Sequence, residues 1–190
     1  RSQWSAPLGL LAWPVSFLAD EIAGHVGTHP PGYTKELDRE QLQESLELVS
    51  RSRSLSPSYT PETLQWLLTK ASEKRQYGPL RKLAVYREDH LPVGWFLYYP
   101  NHNGIAQVLQ IGAVFGSFKL VLGHLFKDAS EYGSLAVMGR MEPNNMKELT
   151  ESYCFHFHRS HYLLVHSSDA KLLNAVHSGD ALLSRLEGEW

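Results

Sequence analysis

The chain has 190 residues, 43% of them hydrophobic and 20% charged, with a formal net charge of -2. That suits one domain with an appendage and excludes both a disordered chain and a protein held to nucleic acid by a basic face. Cys154 is the only cysteine, which rules out an intrachain disulfide and argues against a thiolate zinc site.

Residues 1–36 read as an irregular N-terminal arm or linker. Trp4, Trp13 and Phe17 supply apolar surface, but Pro7, Gly9, Pro14 and the run His29-Pro30-Pro31-Gly32 interrupt it. The opening stretch has neither a basic start nor an unbroken apolar core, so it is not read as a signal peptide, and no run reaches the roughly 18 apolar residues of a membrane span. Residues 15–21 are the one place in the arm where a short strand or helix fits. The start at Arg1 fits a piece of a longer protein, and a soluble cytoplasmic protein is the expectation.

The first clear helix begins at Asp38, where Gln41 three residues on completes a capping box and Leu42, Leu46 and Val49 share a face. The Ser- and Arg-rich stretch 50–59 breaks the pattern. A second helix is announced by Thr60 as N-cap, Pro61 at the first helical position and Glu62 near the positive end of the dipole. Its buried stripe is Leu64, Leu67, Leu68 and Ala71, and Gly78-Pro79 closes the unit.

Strand texture follows. Residues 83–86 and 93–99 are joined by a charged turn, and Asn103-Gly104 predicts a type I′ hairpin into a third strand at residues 105–113. Three strands joined by short turns form an antiparallel meander. A helix over residues 118–132 comes next, with Gly133 placed to cap its C-terminus. After it come a strand at 135–139, a helix at 144–152, strands at 154–158 and 162–166, and a last helix at 169–177. The crossover from residue 105 to 139 makes that strand pair parallel. The fold class is therefore α/β, layered, with a mixed and mostly antiparallel sheet and helices on both faces.

This element order resembles the GNAT superfamily of acyl-CoA-dependent N-acyltransferases over roughly residues 38–166. The phrase Pro92-Val93-Gly94-Trp95-Phe96 and the segment from Leu120 through Ala129 to Gly133 are also similar to that family. The resemblance implies residues 37–190 as one acyltransferase domain, possibly half of a tandem or two-domain protein. It implies that the pantetheine arm of an acetyl- or other acyl-CoA lies between splayed parallel strands at 105–113 and 135–139. Gln110, Ile111, Gly112 and Ala113 would then meet pantetheine and the thioester carbonyl, while Val114, Gly116, Ser117 and Phe118 would hold pyrophosphate on backbone N–H groups. The acceptor it implies is a small-molecule or peptide amine, with no nucleic acid, membrane or metal involved, beside a second such domain or a homodimer partner.

The sequence also departs from the family. Of the usual Gln/Arg-x-x-Gly-x-Gly/Ala loop, only Gly116 matches, with Phe118 where a small residue normally stands. The strand offers Gln107 and Gln110 where a glutamate base is common, and an amide takes no proton at useful pH. Thr150 occupies the place of the tyrosine that protonates the leaving thiolate. Tyr153 stands three residues later, on the same face if the helix continues, and is the catalytic acid nominated here. Two readings follow: an N-acyltransferase acting on a primary amine, or a non-catalytic GNAT-like module kept for binding or dimerisation.

Other constellations read more plainly. His156, His158, His161 and His166 lie in one stretch, but with interleaved Phe155 and Phe157 they describe the polar outer face of a strand rather than a metal site. Cys154 reads as a packing residue, not a nucleophile. Arg51-Ser52-Arg53-Ser54 reads as a solvated loop, and most of the aromatics from Trp95 to Tyr99 read as core. Trp4 and Trp13 are expected to dock on this domain or on a neighbour.

Overall fold

The computed structural model describes residues 30–156 and 165–187. A five-stranded sheet organises them, with strands in sequence order: β1 (Tyr33–Glu36), β2 (Arg81–Tyr86), β3 (Pro92–Tyr99), β4 (Ile105–Ala113) and β5 (Ala136–Met138). The first four pair antiparallel, and β4 pairs parallel with β5. Helices α1 (Arg39–Ser50) and α2 (Pro61–Ser72) precede β2, α3 (Phe118–Glu131) crosses from β4 to β5, and α4 (Met146–Glu151) and α5 (Ala170–His177) follow. From α1 to α4 this is the element order expected from the sequence, with the parallel pair where the GNAT resemblance implies it.

The helix starts are where local chemistry places them. Asp38 accepts from the Gln41 N–H at 2.8 Å while the Gln41 side chain accepts from the Asp38 N–H at 3.4 Å, satisfying two donors that a helix start leaves open. Thr60 caps α2 through the Thr63 N–H at 3.2 Å. At the far end of α3, Gly133 at φ +81 completes a Schellman motif: its N–H bonds the Ser130 carbonyl, and the Ser134 N–H reaches back to Ala129.

Because the sheet is covered on both sides, its strands bury two separate cores. Trp95, Leu97 and Tyr99 of β3 face α1 and α2 with Leu42, Leu46, Leu64 and Leu68. Phe96 and Tyr98 face α3 with Val121, Leu122 and Leu125. Alternation sends the aromatics of β3 to both sides, so all of them are core. On the α3 side a polar clamp closes the rim. Arg81 of β2 makes a bidentate contact with Asp128 of α3 at 2.7 and 2.8 Å, and the Tyr98 hydroxyl donates to the same carboxylate. Burial, reinforced by that carboxylate, pushes the Tyr98 phenol well above its ordinary range.

Four expectations are corrected. Tyr33–Glu36, placed in the irregular arm by its Pro-Pro-Gly approach, is an edge strand paired with β2; four residues are too few to show a two-residue period. The β3–β4 connection is not a type I′ turn. The Gly104 N–H closes onto the Asn101 carbonyl, and of residues 103 and 104 only Asn103 (φ +56) is left-handed. The fourth helix stops at Glu151, one residue before the expected end. A strand is expected at 154–158, but residues 154–156 are not in one, and the rest of it, with most of the strand expected at 162–166 and the region of Trp4, Trp13 and residues 15–21, lies outside the described residues.

Candidate functional site

β4 and β5 share three registered pairs, Ile105↔Ala136, Ala106↔Val137 and Gln107↔Met138. β5 then ends, while β4 runs on to Ala113. Beyond Gln107 the two strands part, and the edge of β4 that faced β5 is released from that ladder.

A bulge re-aims the released stretch. Val108 pairs with Tyr98 and Gln110 with Leu97, leaving Leu109 as an extra residue. Leu109 and Gln110 consequently both point to the α1/α2 face, with Gln107 before them and Gly112 after. Ile111 and Ala113 pack on the α3 side. Gly112 lies flat against Trp95, where a β-carbon would come within 2.4 Å of the ring.

The Gln110 side chain is 2% exposed and fully engaged. Its carbonyl accepts from Trp95 Nε1 at 3.0 Å and its amide donates to Ser184 Oγ at 3.2 Å. Ser184 donates onward to Glu187 Oε2 at 2.8 Å, and the Tyr59 hydroxyl donates to Glu187 Oε1. Burial, then the neighbouring Glu187, pushes the Tyr59 phenol well above its ordinary value. Ser184 and Glu187 belong to a C-terminal segment, residues 180–187, that crosses the α1/α2 face. It is tied to the α1–α2 connection by Leu182 N–H to Leu55 carbonyl at 2.8 Å, and to the bulge by Arg185 N–H to Leu109 carbonyl at 2.9 Å. Arg185 Nη1 also donates to Gln107 Oε1 at 3.1 Å.

Past β4, Val114 is held by its N–H to the Val93 carbonyl, and Ser117 N–H turns back onto Val114. Gly116 takes φ +78, and nothing lies within 4 Å of where its β-carbon would stand. Phe115 projects fully into solvent, whereas Phe118 is buried in the α3-side core. Ser117 at the N-cap makes no side-chain cap bond. The first turn of α3 thus has no side-chain cap, and the helix dipole there favours an anion.

Tyr153 occupies a different kind of place from the one its spacing suggested. The Tyr153 N–H bonds the Thr150 carbonyl and the Cys154 N–H bonds Leu149, a second Schellman motif with Tyr153 at φ +57 in the position usually given to glycine. A left-handed residue past the helix end does not continue its face, so the shared face with Thr150 is lost. The side chain is half exposed.

Two carboxylates went unnoticed in the sequence, because neither stands in a motif. Glu187 is one. Glu142, between β5 and α4, is the other: its side chain is 13% exposed and meets Arg53 of the α1–α2 connection at 3.4 Å. Burial raises its carboxyl above the ordinary range, opposed by Arg53 and Arg140. Arg53, read as part of a solvated loop, thus has a carboxylate partner. Burial also raises the Cys154 thiol, which disfavours the thiolate a nucleophile needs. A cavity of about 350 Å³ lies at the far end of β4, lined by Glu44 and Leu48 of α1 with Pro92, Trp95 and Val114. Among the described residues no three His, Cys, Asp or Glu side chains converge as a metal site, and His158 and His161 are not among them. No helix of the described residues is long and apolar enough to cross a membrane.

No family model matches the chain, and no curated protein does. Solved structures are similar to it. An acetyltransferase from Trypanosoma brucei is 12% identical with a TM-score of 0.49, covering 70% of this chain and 99% of its own. Ribosomal-protein-alanine N-acetyltransferase from Brucella melitensis is 17% identical with a TM-score of 0.47, covering 70% and 99%. Glucosamine-6-phosphate N-acetyltransferase from Arabidopsis thaliana is 13% identical with a TM-score of 0.45, covering 72% and 98%.

Proposed function

We propose that residues 37–190 form a GNAT-type domain that binds an acyl-CoA and transfers its acyl group to a primary amine. The observation that carries this is the parting of the parallel pair β4 and β5 directly ahead of an uncapped helix start. Main-chain groups of Gln110, Ile111, Gly112 and Ala113 hold the pantetheine arm and polarise the thioester carbonyl. Those of Val114, Gly116, Ser117 and Phe118 hold the pyrophosphate. The neutral amine attacks the thioester carbon, a C–N bond forms as the C–S bond breaks, and the leaving thiolate takes a proton from Tyr153. The amine's surplus proton passes to solvent. The domain works in the cytoplasm, beside a second domain of its kind or as a homodimer.

Titration calorimetry with CoA and with acetyl-CoA tests the cofactor site: micromolar binding is expected, and none at millimolar cofactor overturns the reading. An amine screen on wild type and Tyr153→Phe then tests the acid, whose loss lowers kcat more than KM. The second reading, a non-catalytic binding module, is favoured by one observation. Both polar side chains on β4 are amides, and Gln110 is already committed to Trp95 and Ser184.

A further inference from the structure

With pyrophosphate at the C-terminal end of β4 and pantetheine running back along the strand, the acyl end arrives at the bulge, at Leu109 and Gln107. This rests on the acyl-CoA reading above. That place is already occupied by the chain itself. Arg185 N–H takes the Leu109 carbonyl and Arg185 Nη1 takes Gln107. Leu182 and Leu186 on either side are 2% and 0% exposed and share a core with Leu109. Ser184 locks the segment to Gln110 at 3.2 Å. A two-carbon acyl group stops short of this wall. A long one has to break the Leu109–Arg185 bond and lift buried leucines, or double back past Gln110.

We infer that residues 182–186 are a specificity wall that restricts the acyl donor to short chains, acetyl foremost. The bulge supplies one half of this wall by turning Leu109 and Gln110 to the same face, and the C-terminal segment supplies the other.

The test needs no acceptor. CoA, acetyl-CoA, butyryl-CoA and octanoyl-CoA are titrated into the full chain by calorimetry. Acetyl-CoA and CoA bind alike, and octanoyl-CoA binds weaker than acetyl-CoA by about tenfold or more. Arg185→Ala, which removes the Nη1 contact to Gln107 while the main-chain bond to Leu109 and the buried leucines remain, cuts one tie of the wall and narrows that ratio. Octanoyl-CoA binding as tightly as acetyl-CoA overturns the wall and leaves the cofactor site standing. So does an octanoyl-to-acetyl ratio in Arg185→Ala equal to that of wild type. If none of the four binds, CoA included, the cofactor reading itself fails and the wall goes with it.

Discussion

On one side of the sheet, α3 lays Val121, Leu122, Leu125 and Ala129 against Phe96, Tyr98 and Val108, and polar groups enter where Arg81, Asp128 and Tyr98 meet and where His124 reaches the Pro31 carbonyl. On the other side, α1 and α2 cover an aromatic and leucine core through which a polar chain runs, from Trp95 by Gln110 and Ser184 to Glu187 and Tyr59. The first face is assembled largely from neighbours in sequence, since α3 follows β4 directly. The second depends on residues 180–187 returning to a strand more than seventy positions earlier. A face closed from far along the chain is coupled to events at the C-terminus in a way the α3 face is not.

Truncating one residue on each face sharpens the contrast. Leu186→Ala removes a fully buried side chain and loosens the segment that closes the second face, with an expected loss of about 3 kcal/mol in urea unfolding. Asp128→Ala leaves Arg81 and the Tyr98 hydroxyl without their acceptor. Arg81 is about one-third exposed, so water recovers part of the cost, and the loss is about 2 kcal/mol. Only the first substitution is expected to increase quenching of Trp95 fluorescence by acrylamide. Because the two sites sit on opposite faces, the double variant loses the sum, and a large departure from additivity breaks the comparison.

A gain is expected at Tyr153. A side chain held left-handed strains the backbone there, so Tyr153→Gly stabilises by about 1 kcal/mol while removing the proposed acid. The smallest effect belongs to His124 on α3, whose Nε2 bonds the Pro31 carbonyl at 3.1 Å. Burial holds its imidazole below the ordinary value of about 6.5. The unfolded chain therefore takes up the proton first, and stability that is complete above about pH 6.5 falls as pH drops through the folded value. His124→Gln flattens that decline in urea midpoints compared between pH 7.5 and 5.5.

Much of this was legible where the signal is local. Asp38 with Gln41, Thr60 with Pro61, and Gly133 each encode a helix end through a few neighbouring atoms, and each end is where those residues put it. The parallel crossover followed from the order strand, helix, strand. Legibility fails where distant residues decide. Nothing in Leu182, Ser184 or Leu186 announces that they meet Gln110 and Leu109. The face expected to be shared by Thr150 and Tyr153 assumed that the helix persists, whereas the chain ends it with a tyrosine in a glycine's place. For the candidate site, the parallel pairing of β4 with β5 was expected, but the meeting of residues 182–186 with Leu109 and Gln110 was not.

The extra residue at Leu109 has one more consequence. It acts as a phase slip in the strand's odd–even rhythm: Ala106 and Val108 keep time before it and Ile111 and Ala113 after it, half a beat out of step. A chain shortened by Leu109 would restore an unbroken rhythm with every remaining residue on its present side, because Val108 already pairs with Tyr98 and Gln110 with Leu97. What it would lose is the one place on β4 where two successive side chains, Leu109 and Gln110, turn to the same face. A single inserted position thus gives the C-terminal segment two adjacent partners on one strand, the Leu109 carbonyl for Arg185 and the Gln110 amide for Ser184.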